Sequence, residues 1–331
     1  MEKIRYILQF LKKTVNYFLL VMYDYKVLLT RSTLFNPKSD FKESLRTKIS
    51  IFSHELERGL TLPSPKVFFA QQHLSSFFSY LKEYEAKYGF DYFCYEAIGI
   101  LHSWYDFDAN FLDKNACWYD DLKKYLSLSS DMKFKLTGIK SLSKSTFFQY
   151  SDVNIINFME SRSSVRNFTA EDVDVQTIIN SIKTARYSPS ACNRQDVKVH
   201  IITEKKEILK INEYQGGASG FSDTINKLLL ITSDMRKITN VKEYKQPWID
   251  AGLFAMALLL SLHSNKLGAC IMNWNAEPSI NKKVHKFLGI DDSEIIIARI
   301  ALGHVFDNII TAKSPRIMVT DMVTIHGSRQ H

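Results

Sequence analysis

The stretch from Trp248 to Leu267 is strongly apolar, carries Ala251, Gly252, Ala255 and Ala257, and is stopped by Gly268. As a helix it cannot face solvent, and its small residues permit close backbone approach to another layer. Helices and strands alternate around it from Ser151 onward. Asp174 to Arg186 reads as a helix with Asp174 as N-cap and Ile178, Ile179 and Ile182 on its apolar face. Val197 to Thr203 alternates as a strand does, through Val197, Val199 and Ile201. Asn226 to Ser233, Ala269 to Trp274 and Glu294 to Val305 read as buried strands, the last two separated by a helix ending at Gly289. The C-terminal residues read as an extended arm. The expected fold class is α+β, a sandwich of one sheet covered by helices.

Residues 1–150 follow a different pattern and are expected to form a mostly helical region, with residues 151–331 as the second domain. Phe41, Leu45, Ile49, Phe52 and Leu56 keep helical spacing up to Gly59. Lys66 to Tyr88 and Asp91 to Trp104 offer two more helices, and the boundary is expected between 135 and 152. A 331-residue chain with 45% hydrophobic and 24% charged residues can bury a large core, which excludes intrinsic disorder. The net charge of +8 is spread over both parts, so anionic ligands or a membrane surface suit it and nucleic acid is not required. Cys94, Cys117, Cys192 and Cys270 lie far apart without metal spacing, as expected of packed thiols in a reducing, cytoplasmic compartment; no metal is expected.

Ile4 to Leu29 is rich in apolar and aromatic residues but interrupted by Lys12, Lys13, Asp24 and Lys26. Its longest uncharged run, Thr14 to Tyr23, is about half of what a spanning helix needs, and no small-residue cleavage site follows it. An amphipathic helix is expected, packed on its own protein. The competing reading is peripheral contact of residues 1–30 with the inner face of a membrane.

Two segments carry the chemistry. Arg162-Ser163-Ser164-Val165-Arg166-Asn167-Phe168 offers two cations and two hydroxyls after a short helix, which suits a phosphate. Ser188-Pro189-Ser190-Ala191-Cys192-Asn193-Arg194-Gln195 offers amide donors and acceptors for a heteroaromatic edge. Each alone is more often an ordinary loop. Their succession, followed by the apolar helix, Leu267-Gly268-Ala269-Cys270, Ile300-Ala301-Leu302-Gly303 and a basic arm with Lys313 and Arg316, resembles the nitroreductase family of FMN-dependent oxidoreductases. The resemblance covers roughly 154–325 and not the first 150 residues. Ser163 stands where that family usually has a second cation, and Asp196-Val197 where it has Pro-Trp.

The resemblance implies a central, mostly antiparallel sheet flanked by helices, FMN as cofactor, NADH or NADPH as donor, and a homodimer. Arg162, Ser163 and Ser164, with Arg316 and Lys313, would hold the phosphate and ribityl chain. Arg166 would lie at the ring edge that becomes anionic on reduction. Pro189, Ser190, Asn193 and Gln195 would meet the ring from the other subunit, with backbone around Asn273 and Trp274 near the hydride-transferring edge. No side chain is expected as catalytic acid or base.

Three smaller features remain. Gln215-Gly216-Gly217-Ala218-Ser219-Gly220 lacks a P-loop lysine and reads as a flexible loop bordering the substrate pocket. In His54-Glu55-Leu56-Glu57-Arg58, Arg58 occupies the second histidine position of a zinc helix, which argues against zinc and leaves His54 and Glu57 as pocket-facing or solvated. Cys192 reads as a packed thiol. The expected activity is hydride transfer from NAD(P)H to a nitro, quinone or enone acceptor. The alternatives are a dedicated tailoring dehydrogenase or reductase of a biosynthetic pathway such as surface polysaccharide, and a non-enzymatic flavin-binding protein.

Overall fold

A computed structural model describes residues 2–32, 35, 41–61, 65–67, 69–128, 139, 154–309, 311 and 318–327. The expected boundary between 135 and 152 lies almost wholly outside these residues, as do Lys313 and Arg316.

Helix α1 (Glu2–Arg31) comes first, followed by α2 (Phe41–Leu60), α3 (Gln71–Tyr88), α4 (Tyr92–Asp108) and α5 (Tyr119–Ser127). The expected spacing of α2 holds, with Leu45, Ile49, Phe52 and Leu56 buried. They close a core with Leu74, Phe78 and Leu81 of α3, Ile98 and Trp104 of α4, and Tyr125 of α5. The chain turns before α3, so that helix starts at Gln71, five residues later than its pattern suggests, and it stops at Gly89. Asp91 caps α4 by accepting from the Phe93 N–H.

The second part runs α6 (Ile155–Ser161), α7 (Val175–Ala185), β1 (Val197–Ile202), α8 (Lys205–Tyr214), β2 (Lys227–Asp234), α9 (Gln246–Ser264), β3 (Gly268–Asn273), α10 (Pro278–Leu288), β4 (Glu294–Gly303) and α11 (Val319–Met322). Asp174 caps α7 as expected. Helix α8 is not prominent in the sequence, because only Ile208 and Ile211 give it a buried stripe among lysines and glutamates.

The described strands form one sheet in the order β1-β2-β4-β3, with every ladder antiparallel. Strand β2 is buried throughout and splits by alternation: Leu228 and Leu230 join one core, Leu229 and Ile231 the other. The first face is covered by Ile208 and Ile211 of α8, Val284 of α10, and the 165–168 segment. The second is covered by α7 and by Ala251, Phe254, Leu258 and Leu262 of α9. This is the α+β sandwich the sequence implies.

Two helices leave apolar faces uncovered within the chain. Within one chain α9 is not buried on all sides: Trp248, Ile249, Leu253 and Met256 stay exposed on one face. Among the described residues it is the one helix long and apolar enough to cross a membrane, yet half of it is buried against the sheet. Most of the described residues of helix α1 are exposed rather than packed on their own protein. Among them only Val27 and Leu28 are buried, joining Met235, Ile238 and Ile295 in a small core against which Tyr23 packs.

Candidate functional site

The Arg162 segment is placed by the edge of the sheet. Val165 N–H donates to the Ala269 carbonyl at 3.0 Å, so residues 164–165 run beside β3 as a short parallel bridge. Gly268 and Gly303, paired across the β3–β4 ladder, make this possible. A Cβ on Gly268 would lie 2.5 Å from Val305 and 3.2 Å from Val165; one on Gly303 would lie 2.7 Å from Phe168. Both motif glycines therefore clear a bed for the segment between Arg162 and Phe168.

Where that segment leaves α6, a cleft of about 360 Å³ opens, lined by Ser161, Arg162 and Ser163 on one wall and by His263, Lys266 and Gly268 on the other. Ser161 Oγ and His263 Nε2 are 2.8 Å apart. Burial and the Arg162 charge both push His263 below its ordinary value, so the ring is biased toward neutrality. Lys266 sits at the end of α9 with a left-handed φ of 61°. Neither Lys266 nor His263 is prominent in the sequence; the signal for Lys266 is its place just before Leu267-Gly268. Ser164 and Arg166 lie close to Cys270 on β3. Burial pushes the Cys270 thiol up, while Arg166, a hydrogen bond from Ser164 and the Arg162 charge act against that.

The second segment lies elsewhere on the chain. Pro189, Ser190 and Gln195 line a separate cleft of about 140 Å³ with Arg186, Asp250 and Phe254. Its backbone is held tightly: the Ala191 N–H donates to Asp250 at 3.1 Å, the Gln195 N–H to Ser190 Oγ at 3.0 Å, and Lys237 Nζ to the Arg194 and Gln195 carbonyls at 2.9 and 3.0 Å. Cys192, Asn193 and Gln195 all take left-handed φ values near 50° without being glycine. Such strain, of order 1 kcal/mol or more per residue, persists where surrounding contacts over-determine the backbone.

Asp196 is buried beside Asp250, with Ser233 Oγ donating to one of its oxygens. Burial, and then the Asp250 charge, push Asp196 up to about 6 in spite of the Ser233 bond.

Helix α2 packs on the turn at 191–193, and Asn193 Nδ2 donates to Glu96 of α4 at 3.4 Å. Burial raises Glu57 and Glu96, and the Glu57 charge raises Glu96 further. His54 Nδ1 lies 3.7 Å from Glu57. The first 150 residues thus bring carboxyl groups up to the Asn193 turn, a meeting no spacing announces.

Asn273 is exposed at the end of β3, and Trp274 is buried with its indole N–H donating to Asn281 at 2.6 Å. The glycine-rich loop is more constrained than expected. Arg299, fully buried on β4, donates to the Gly216 carbonyl and to Asn212, and Ala218 and Phe221 enter the core.

The sequence matches the model of the Nitroreductase family in two overlapping stretches, residues 159–219 and 213–304. No curated protein matches the chain. Similar solved structures include an FMN-dependent nitroreductase from Clostridium difficile, 18% identical, covering 52% of this chain and 99% of that one with a TM-score of 0.45. A nitroreductase family protein from Streptococcus pneumoniae is 18% identical over 52% of this chain and 100% of that one, TM-score 0.45. A protein from Desulfovibrio desulfuricans in complex with FMN is 18% identical over 54% and 99% of the two chains, TM-score 0.45.

Proposed function

With residues 159–304 belonging to the Nitroreductase family, we propose that the protein is an FMN-dependent oxidoreductase that carries hydride from NADH or NADPH to an organic acceptor of nitro, quinone or enone type. The observation that carries this is the cleft at the start of β3. It combines a guanidinium, an ammonium and two serine hydroxyls over a bed kept open by Gly268 and Gly303. That donor set fits a phosphate monoester.

Arg162, Ser163 and Lys266 would hold the phosphate, with Ser164 toward the ribityl chain; Lys313 and Arg316 lie outside the described residues. Lys266 takes the place of the family cation that Ser163 lacks. Arg166 would stand at the ring edge where negative charge gathers, and Asn273 and Trp274 would bring backbone beside the opposite edge. When bound, FMN supplies the hydride acceptor and donor, so these residues need only bind, orient and balance charge.

Pro189, Ser190 and Gln195 line a different cleft from Arg162, with Asn193 in the same turn, so on this proposal these four serve the ring held by a second copy. The exposed apolar face of α9 is the surface such a copy would cover. Mixing tests it. Chains with Arg162→Ala and Arg166→Ala are combined with chains carrying Ser190→Ala and Asn193→Ala. Shared sites restore up to about a quarter of the wild-type activity, the statistical yield of intact sites. No recovery despite demonstrated mixed dimers puts both motifs in one chain's site.

A second reading has its own support. The contact of Glu96 with Asn193, and of α2 with the same turn, suggests that residues 41–128 wall a dedicated substrate pocket. A yellow protein with a flavin spectrum that oxidises NAD(P)H rapidly with generic nitro or quinone acceptors supports the first reading. A yellow protein slow with all of them supports a tailoring enzyme. A colourless protein that fails to retain added FMN sinks both.

A further inference from the structure

Helix α1 is 30 residues long, and most of its described side chains are exposed. Ile7, Leu11, Val15, Phe18, Met22 and Tyr25 repeat at three- and four-residue steps and so form one stripe. Their exposure runs from 41% at Met22 to 60% at Phe18. Of the two buried residues that fasten the helix, Val27 projects from the far side of that stripe at about 3.6 residues per turn. Arg31 adds an ion pair to Asp292 at 2.9 Å. The last two turns are therefore docked on the body, and the stripe is left facing outward.

What covers it is indicated by the charges. Lysine and arginine stand at 3, 5, 12, 13, 26 and 31, against acidic residues only at 2 and 24. Arg5, Lys12 and Lys26 are exposed beside or behind the stripe. Two such helices laid together would set like charges along a shared seam, which disfavours a second copy as the occupant. A layer of anionic headgroups complements them along the whole helix, while apolar and aromatic side chains enter the acyl boundary. Near the docked end the stripe continues into a groove of about 890 Å³, lined by Leu19, Met22 and Leu29 and by Pro278 at the start of α10. The uncharged run from 14 to 23 is too short to span a bilayer, so the helix would lie in the plane of the surface.

We propose that α1 is an interfacial helix that seats the protein on an anionic bilayer surface. The test is co-sedimentation of the full chain with vesicles of phosphatidylcholine alone or mixed with phosphatidylglycerol. The protein pellets with the mixed vesicles and not with the neutral ones, and raised salt releases it. Arg5→Gln and Lys12→Gln each weaken binding by about fivefold. Leu11→Asp with Phe18→Asp abolishes it, while the helical signal in circular dichroism remains, since both positions are exposed. Failure to pellet with mixed vesicles overturns the proposal, as does undiminished binding by the double aspartate variant. If that variant instead lowers the solution mass and no vesicle binds the parent, the face belongs to a second copy and the lipid proposal fails.

Discussion

Arg162→Ala is expected to weaken FMN binding by about tenfold to a hundredfold, the loss of roughly 1.5–3 kcal/mol that a hydrogen bond to a charged group supplies. Arg162 is half-buried in the cleft that also holds Ser161, Ser163 and Lys266, so water cannot fully replace it around a phosphate. Lys266 is exposed and its contribution is screened more strongly. Adding Lys266→Ala should therefore cost a further few-fold in low salt and little in high salt. Riboflavin, which has no phosphate, should bind the wild type and both variants alike. Fluorescence titration decides the matter: FMN affinity unchanged by Arg162→Ala would remove this cleft from the cofactor site. Equal losses for FMN and riboflavin would mean that the substitution damaged the fold rather than the phosphate contact.

The other large effect concerns pH. Asp196 is pushed from an ordinary 3.8 up to about 6 by burial and by Asp250. Its folded-state value lies above the unfolded one, so the folded protein binds this proton more tightly. The stabilisation is complete below about 4 and is lost as pH rises through about 6. Above that point the folded state carries a poorly solvated carboxylate beside the Asp250 carboxylate. Asp196→Asn keeps an acceptor for the Ser233 hydroxyl and removes the charge. It should leave stability near pH 4 almost unchanged and raise it at pH 8, by about 3 kcal/mol from the size of the shift. Denaturant melts at the two pH values test this. A variant no more stable than wild type at pH 8 would show that the Asp196 charge is useful in the fold, for example to Lys237, on which it acts favourably.

Such a buried acid is costly, and it stands where the family pattern has Pro-Trp. Asp196 lies immediately after the strained Cys192–Gln195 turn and accepts from Ser233 on the neighbouring β2, while Asp250 holds the Ala191 N–H. The pair therefore belongs to the scaffolding of the second motif, and the departure from the family pattern is compensated locally.

Much of this protein could be read from local pattern alone. The strands at 197–202, 227–234, 268–273 and 294–303 fall within a residue or two of the segments their alternation and apolar runs indicate, because a half-buried or buried strand has a period the chain itself displays. Asp174 and Gly289 mark helix ends by their own short-range chemistry. The two motif segments were visible as successions of residue types, and Gly268 and Gly303 lay within recognisable neighbourhoods. The strand order β1-β2-β4-β3 had no such local signature, and neither did the pairing of the two glycines under the Arg162 segment. Lys266 and His263 enter the cleft only because α9 ends beside that segment, about a hundred residues later in the chain. Glu96 reaches Asn193 across 97 positions. Helix α1 shows the limit most plainly: its amphipathic period was legible, but its sequence alone could not say whether the apolar stripe would meet protein. Period and capping depend on neighbours within a few residues, whereas burial, clefts and the partners of exposed faces depend on which distant elements the packing brings together.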